Sequence, residues 1–211
     1  TTWSTMSSAG TRSSLAFPAL LLLCACSGGG EAPSFAPGDY AVYRYSGSYR
    51  REPVTLERTV EAAPPGGDIV FLNEWSSGGA RRAWREHIAP RAYDLAHNLA
   101  GRLEIRENGA WREIPNADNM ELFRLREGTL FNPQGLARLR KTEPGVFEAG
   151  GKKYPCDYKT YRTMVDGKRA LLRRAEAAGF KWGYLLEDYR LPQAAEPVFR
   201  SELIEEGNRK P

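Results

Sequence analysis

A nine-residue apolar run, Leu15–Leu23 (LAFPALLLL), limits what the rest of the chain can be. It is far shorter than the ~20 residues that cross a bilayer, and it fits the ~7–15-residue apolar core of an export signal. Arg12 is the one charge ahead of it and supplies the positive leader. Pro18 sits inside the run, where a short targeting segment tolerates it better than a packed helix would. The small Ala25 follows at a position suited to cleavage. Met6 reads as the start of this segment, with Thr1–Thr5 outside it. The remainder is therefore expected to be exported, and residues 1–25 stand apart from the fold.

Leu23-Cys24-Ala25-Cys26 resembles the lipobox of bacterial lipoproteins. That resemblance implies diacylglycerol on the Cys26 sulfur, cleavage after Ala25, and acylation of the new N-terminus by a fatty acid such as palmitate. The lipoprotein pattern retains chains with Asp in the next position at the inner membrane. Ser27 here implies the outer membrane, with the protein facing the periplasm. Each buried CH₂ is worth about 0.8 kcal/mol, and two or more chains hold firmly where one does not. The first expected partner is thus the membrane itself, through the N-terminal acyl anchor.

Residues 26–211 suffice for one domain with a real core. Without Arg12, 29 basic residues face 26 acidic ones, too even a balance for a nucleic-acid protein. Of the 3 cysteines, Cys24 leaves with the signal and Cys26 is acylated, so Cys156 has no internal disulfide partner. Cys156 is expected to be a packed, inert thiol, because free Cys is among the most buried residue types.

Ser27–Pro37 (SGGGEAPSFAP) reads as a linker, making 26–37 the lipidated cysteine and its tether, and 38–211 a single β-rich domain. As a flexible coil the eleven linker residues span roughly 18 Å, so the domain stays near the membrane. Short runs follow, rich in Tyr, Val and Ile and broken by turn signals. Strands are expected at 39–49, 54–62, 69–75, 81–88, 103–114 (a hairpin about Asn108-Gly109), 146–165, 168–174, 184–190 and 198–205. Pairing across Asn108-Gly109 places Arg106 opposite Trp111. A short helix is expected at 119–126, capped by Asp118, and helix is the alternative for 81–88 and for 169–178. The expected fold class is all-β: an antiparallel curved sheet, as half-barrel, barrel or sandwich, with one or two short helices.

Roughly residues 150–186 carry GGKKYPC, DGKRALL and KWGYLL. This order of Gly turn, cysteine strand, Gly hairpin and aromatic-Gly segment resembles a pattern in uncharacterised bacterial envelope domains, which implies no particular chemistry.

Chemistry-bearing constellations are few. His87 and His97 lack metal spacing with any other His or Cys, and no HExxH, CxxC or GxSxG occurs. No metal and no cofactor is expected. Gly145–Lys153 (GVFEAGGKK) is one residue out of register for a phosphate loop and reads as a turn between strands. Glu187 and Asp188 are adjacent on a strand, hence on opposite faces, and are expected to be solvated. The densest basic-aromatic cluster is Arg81, Arg82, Trp84 and Arg85, a candidate contact with an anionic surface near the anchor. No catalytic residues are expected. The chain reads as a lipid-anchored envelope protein with a non-catalytic domain that binds a partner or is structural. The alternative is a carrier of a lipophilic ligand in the cavity of a curved sheet, by analogy with bacterial lipoprotein-localisation factors.

Overall fold

The computed structural model describes residues 34–50, 52–114, 122, 124–131 and 134–209. Eleven strands form one antiparallel sheet: β1 Asp39–Ser46, β2 Val54–Ala62, β3 Ile69–Ser77, β4 Ala80–Ile88, β5 Ala100–Glu107, β6 Ala110–Ile114, β7 Gln134–Ala149, β8 Lys152–Val165, β9 Lys168–Glu176, β10 Leu186–Arg190 and β11 Phe199–Asn208. The order is β6-β5-β4-β3-β2-β1-β11-β10-β9-β8-β7. Two meanders therefore run outward from a central β1–β11 pair. The sheet does not close on itself, because its edges, β6 and β7, are not paired with each other.

The turns explain the meanders. Gly78-Gly79, Asn108-Gly109, Gly150-Gly151 and Asp166-Gly167 each have two positive φ angles in succession. Two residues with positive φ make the type I′ turn whose twist matches paired strands. Each is flanked by directly opposed residues, as in Glu107↔Ala110 and Val165↔Lys168. Pro144 lies in the edge strand β7, and Pro155 in the stretch of β8 that runs past the end of β9. Both are sites where a missing N–H need not break a ladder.

Alternation sorts the side chains. Tyr43, Tyr45, Val54, Leu56, Trp75, Trp84, Leu103 and Ile105 share one core with Leu172, Tyr189, Phe199 and Leu203. Two connections pack on this face. The β6–β7 connection contributes Leu125, and its Phe131 stacks on Phe199 at 4.9 Å between centroids. Trp75 Nε1 donates to Glu127 O of the same connection at 2.9 Å. The β9–β10 connection brings Trp182 within 6.2 Å of Phe71 on β3. Since β11, β1 and β2 lie between β10 and β3, the sheet curls towards that face. Phe35, at the end of the segment read as a linker, is held there too, 5.1 Å from Phe71.

The strand expectations hold, including 81–88 and 168–174, which stay extended. Two elements escaped the sequence reading: the helix α1, Ala92–His97, and the first twelve residues of β7, 134–145. In the expected helix at 119–126, Leu122, Arg124 and Leu125 are helical. Asp118 and the start of that helix lie outside the described residues.

Candidate functional site

The basic-aromatic cluster of β4 is divided by strand geometry. Successive side chains point to opposite faces. Trp84 is fully buried and donates from Nε1 to Glu86 Oε1 at 2.7 Å. Arg82, on the same side, lies 4.6 Å over the Trp75 ring and donates to Arg124 O at 2.8 Å. Arg81 and Arg85 point the other way. Arg85 is bonded to Glu61 at 2.5 Å and stacks on Trp111 at 3.9 Å. The four residues do not form one surface, and Trp84 is closed to any surface contact. Cys26 lies outside the described residues.

Beneath Trp84 is a polar group inside the core. Glu86 is fully buried and bridges Arg126 (Nη2 to Oε2, 2.6 Å; Nε to Oε1, 3.1 Å) and Arg58 (Nη2 to Oε2, 3.2 Å). Burial alone would raise the Glu86 pKa, but Arg126 and Arg58 hold it below the usual carboxylate value. Burial pushes the Arg58 guanidinium down to about 10, against the pull of Glu86. Arg58 falls between Leu56 and Val60 on the buried face of β2 and was absent from the sequence reading.

The exposed cations gather elsewhere. Register places Arg138 opposite Arg162, Arg162 opposite Leu171, and Leu171 opposite Arg190. The next row runs Thr160, Arg173, Asp188, Arg200. Two depressions of about 490 and 420 Å³ lie along these rows and share Leu171. Arg138, Arg162 and Arg169 line the first; Arg173, Arg190 and Arg200 line the second. Met164, Pro192, Phe147, Tyr158 and Leu186 supply apolar surface between them.

The charge on this face is uneven. Arg190 clasps Asp188 in a bidentate pair, at 2.9 and 3.1 Å. Arg200 and Arg44 share Glu202. Burial would raise the Glu202 pKa, yet these two arginines hold it low. Arg173 stacks on Tyr158 at 4.1 Å. Among the described residues, Arg138, Arg162, Arg169 and Arg173 have no ion-pair partner. On the β2–β6 half, Glu61, Glu104 and Glu107 answer Arg85, Arg102 and Arg112, while Arg81 and Arg106 have no ion-pair partner among the described residues.

The other sequence candidates separate. Glu187 and Asp188 do face opposite ways, to Arg174 and Arg190 respectively, but Asp188 is 6% exposed rather than solvated. A carboxylate this buried is tolerable because arginines flank it. His87 lies 3.6 Å from Glu104, and His97 contacts Tyr93 O at 2.8 Å. Among the described residues no group of three His, Cys, Asp or Glu side chains could hold a metal. Gly150-Gly151 is a hairpin turn. Cys156 is buried, and that burial raises its thiol pKa.

No described protein family matches the sequence, and no curated protein matches it. Two solved structures resemble the chain. One is a candidate lipoprotein from Parabacteroides distasonis, at 10% identity and a TM-score of 0.36, covering 82% of this chain and 96% of that one. The other is a candidate exported protein with YmcC-like fold from Bacteroides fragilis, at 10% identity and a TM-score of 0.37, covering 82% and 97%. At such identity and scores, neither likeness bears on what this protein does.

Proposed function

We propose that this chain is a lipid-anchored protein of the bacterial cell envelope. It sits at the outer membrane on the periplasmic side, and its β domain is a non-catalytic binding module for an extended anionic partner. The anchor rests on Leu23-Cys24-Ala25-Cys26. The binding role rests on one observation: four arginines without carboxylate partners among the described residues line two depressions that share Leu171, beside the paired Arg190 and Arg200. The face runs across β7 to β11, about 19 Å at ~4.8 Å per strand, which suits a chain of acidic groups better than a single one. Apolar patches between the arginines suit a ligand with a carbon framework, such as an acidic polysaccharide.

A carrier needs an apolar cavity along the curve of the sheet. That space is taken by Trp75, Trp84, Leu103 and Leu125. The test is a titration with polygalacturonate against neutral dextran at low and physiological salt. Binding of the first alone, weakened by salt, supports the reading. Equal behaviour of the two polymers refutes it.

A further inference from the structure

The chain enters the β domain at one fixed point. Phe35 stands edge-on to Phe71 at 5.1 Å and to Trp182 at 5.0 Å. Ala36 N–H donates to Asp39 Oδ2 at 2.6 Å, and Asn208 Nδ2 donates to Pro37 O at 3.1 Å. Phe35, Ala36 and Pro37, read from sequence as linker, thus belong to the fold. Nine residues separate Cys26 from Phe35, a reach of at most about 30–32 Å. An anchor on Cys26 keeps the bilayer within that distance of Phe35. Strand β8 alone is longer, about 46 Å over its 14 residues. The end of the sheet that holds Phe35 is therefore the end kept nearest the bilayer.

The helix α1 stands at that end. Its Leu95 packs on Val60, Ile69, Phe71 and Ile88, the cluster that Phe35 also covers. Two other apolar side chains face water: Tyr93 is 66% exposed, and Leu99, just past the helix, is 47% exposed. Leu99 is held in place by the way the helix closes. Asn98 has a φ of 50°, its N–H donates to Leu95 O at 3.3 Å, and Leu99 N–H donates to Asp94 O at 2.9 Å. An apolar residue in this position commonly packs back on the last helical turn, yet nearly half of Leu99 stays in water. The one cation at the helix start, Arg91, is answered by Asp94 at 2.7 Å, so the attraction this patch offers is mainly apolar. Tyrosine, with an apolar ring and a polar tip, suits the boundary between lipid and water.

We infer that α1 docks on the bilayer that carries the anchor, with Tyr93 and Leu99 entering its headgroup layer. The inference rests on the anchor proposed at Cys26 and uses no residue of the arginine face.

The experiment uses the acylated chain, extracted from membranes and reconstituted in vesicles of phosphatidylethanolamine and phosphatidylglycerol. Leu99→Cys and Leu139→Cys each carry a nitrobenzoxadiazole label, and the parent chain, whose Cys156 is buried, is the blank. Leu139 is 51% exposed on β7, about 33 Å along the strand from its end at Ala149. The label at 99 should shift to the blue and be quenched by nitroxide-bearing lipids, and the label at 139 should do neither. Intact mass reads acylation in the same sample. A chain without an acyl group overturns the anchor, and this inference with it. An acylated chain whose label at 99 emits as in water, or responds no more than the label at 139, overturns the docking and leaves the anchor standing.

Discussion

Arg126 reaches out of the β6–β7 connection to place Nη2 2.6 Å from Oε2 of Glu86, a carboxylate with no exposed surface on β4. This contact ties the connection to the sheet it crosses. It also leaves Glu86 as a carboxylate shared by two largely buried arginines, Arg58 and Arg126. Removing one partner of a buried ion pair usually costs about 3–5 kcal/mol, because the other charge stays behind. Glu86→Ala should therefore destabilise the domain by about that amount in urea, with the Trp75–Glu127 contact loosened and tryptophan fluorescence changed. A loss under about 1 kcal/mol would show that the cluster is solvated.

The same group sets an acid limit. The Glu86 pKa is lowered on folding, so its contribution is fully present above the unfolded value of 4.5 and is lost as pH falls below it. Glu202 and Asp39 are also lowered and act in the same direction. Urea midpoints should be flat above about pH 5.5 and should fall steeply below about 4.5. Glu86→Gln should flatten part of that fall.

The sheet was legible because its local signals agree. Asn108-Gly109, Asp166-Gly167 and Gly150-Gly151 fix three hairpins, and Leu103 meets Ile114 as the alternation requires. The β1–β11 pairing was not legible, since nothing local in Tyr43 announces Leu203, 160 residues away. The arginine face depends on that kind of information. Arg138, Arg162, Arg173 and Arg190 become neighbours only through register across four strands. The cluster that sequence did offer, Arg81 to Arg85, was split because adjacent strand residues cannot share a face.

Two glycines with positive φ should respond differently to alanine. At Gly47, with φ of 128°, a Cβ would lie 2.4 Å from Val198 O, a backbone atom that cannot turn aside. At Gly151, with φ of 74°, it would meet nothing within 4 Å. Gly151→Ala should cost roughly 1–2 kcal/mol for the left-handed backbone alone. Gly47→Ala should cost clearly more by thermal or urea unfolding. Equal losses would mean that the β1–β11 end is free to shift.

Cys156 is 8% exposed, and its burial raises the thiol pKa, so thiolate is scarce and reagents are blocked. It should resist thiol reagents in native buffer and react on unfolding. Cys156→Ala should lose roughly 1–2 kcal/mol, as for a small cavity. Rapid labelling of the folded protein would reassign it from packing to chemistry.

The proposed anchor places the acyl group on the Cys26 sulfur, so Cys26→Ser should abolish palmitate labelling and release the protein from the membrane fraction. Retained labelling would show that the lipobox resemblance misleads.

The most direct test compares charge reversals on and off the arginine face. Arg162→Glu with Arg173→Glu should lower affinity for polygalacturonate at least about tenfold and reduce its salt dependence. Arg81→Glu with Lys153→Glu, an equal change of charge at exposed sites elsewhere, should leave affinity within about twofold. Equal losses from both pairs would show that only net charge matters, and would contradict a binding face on β7 to β11.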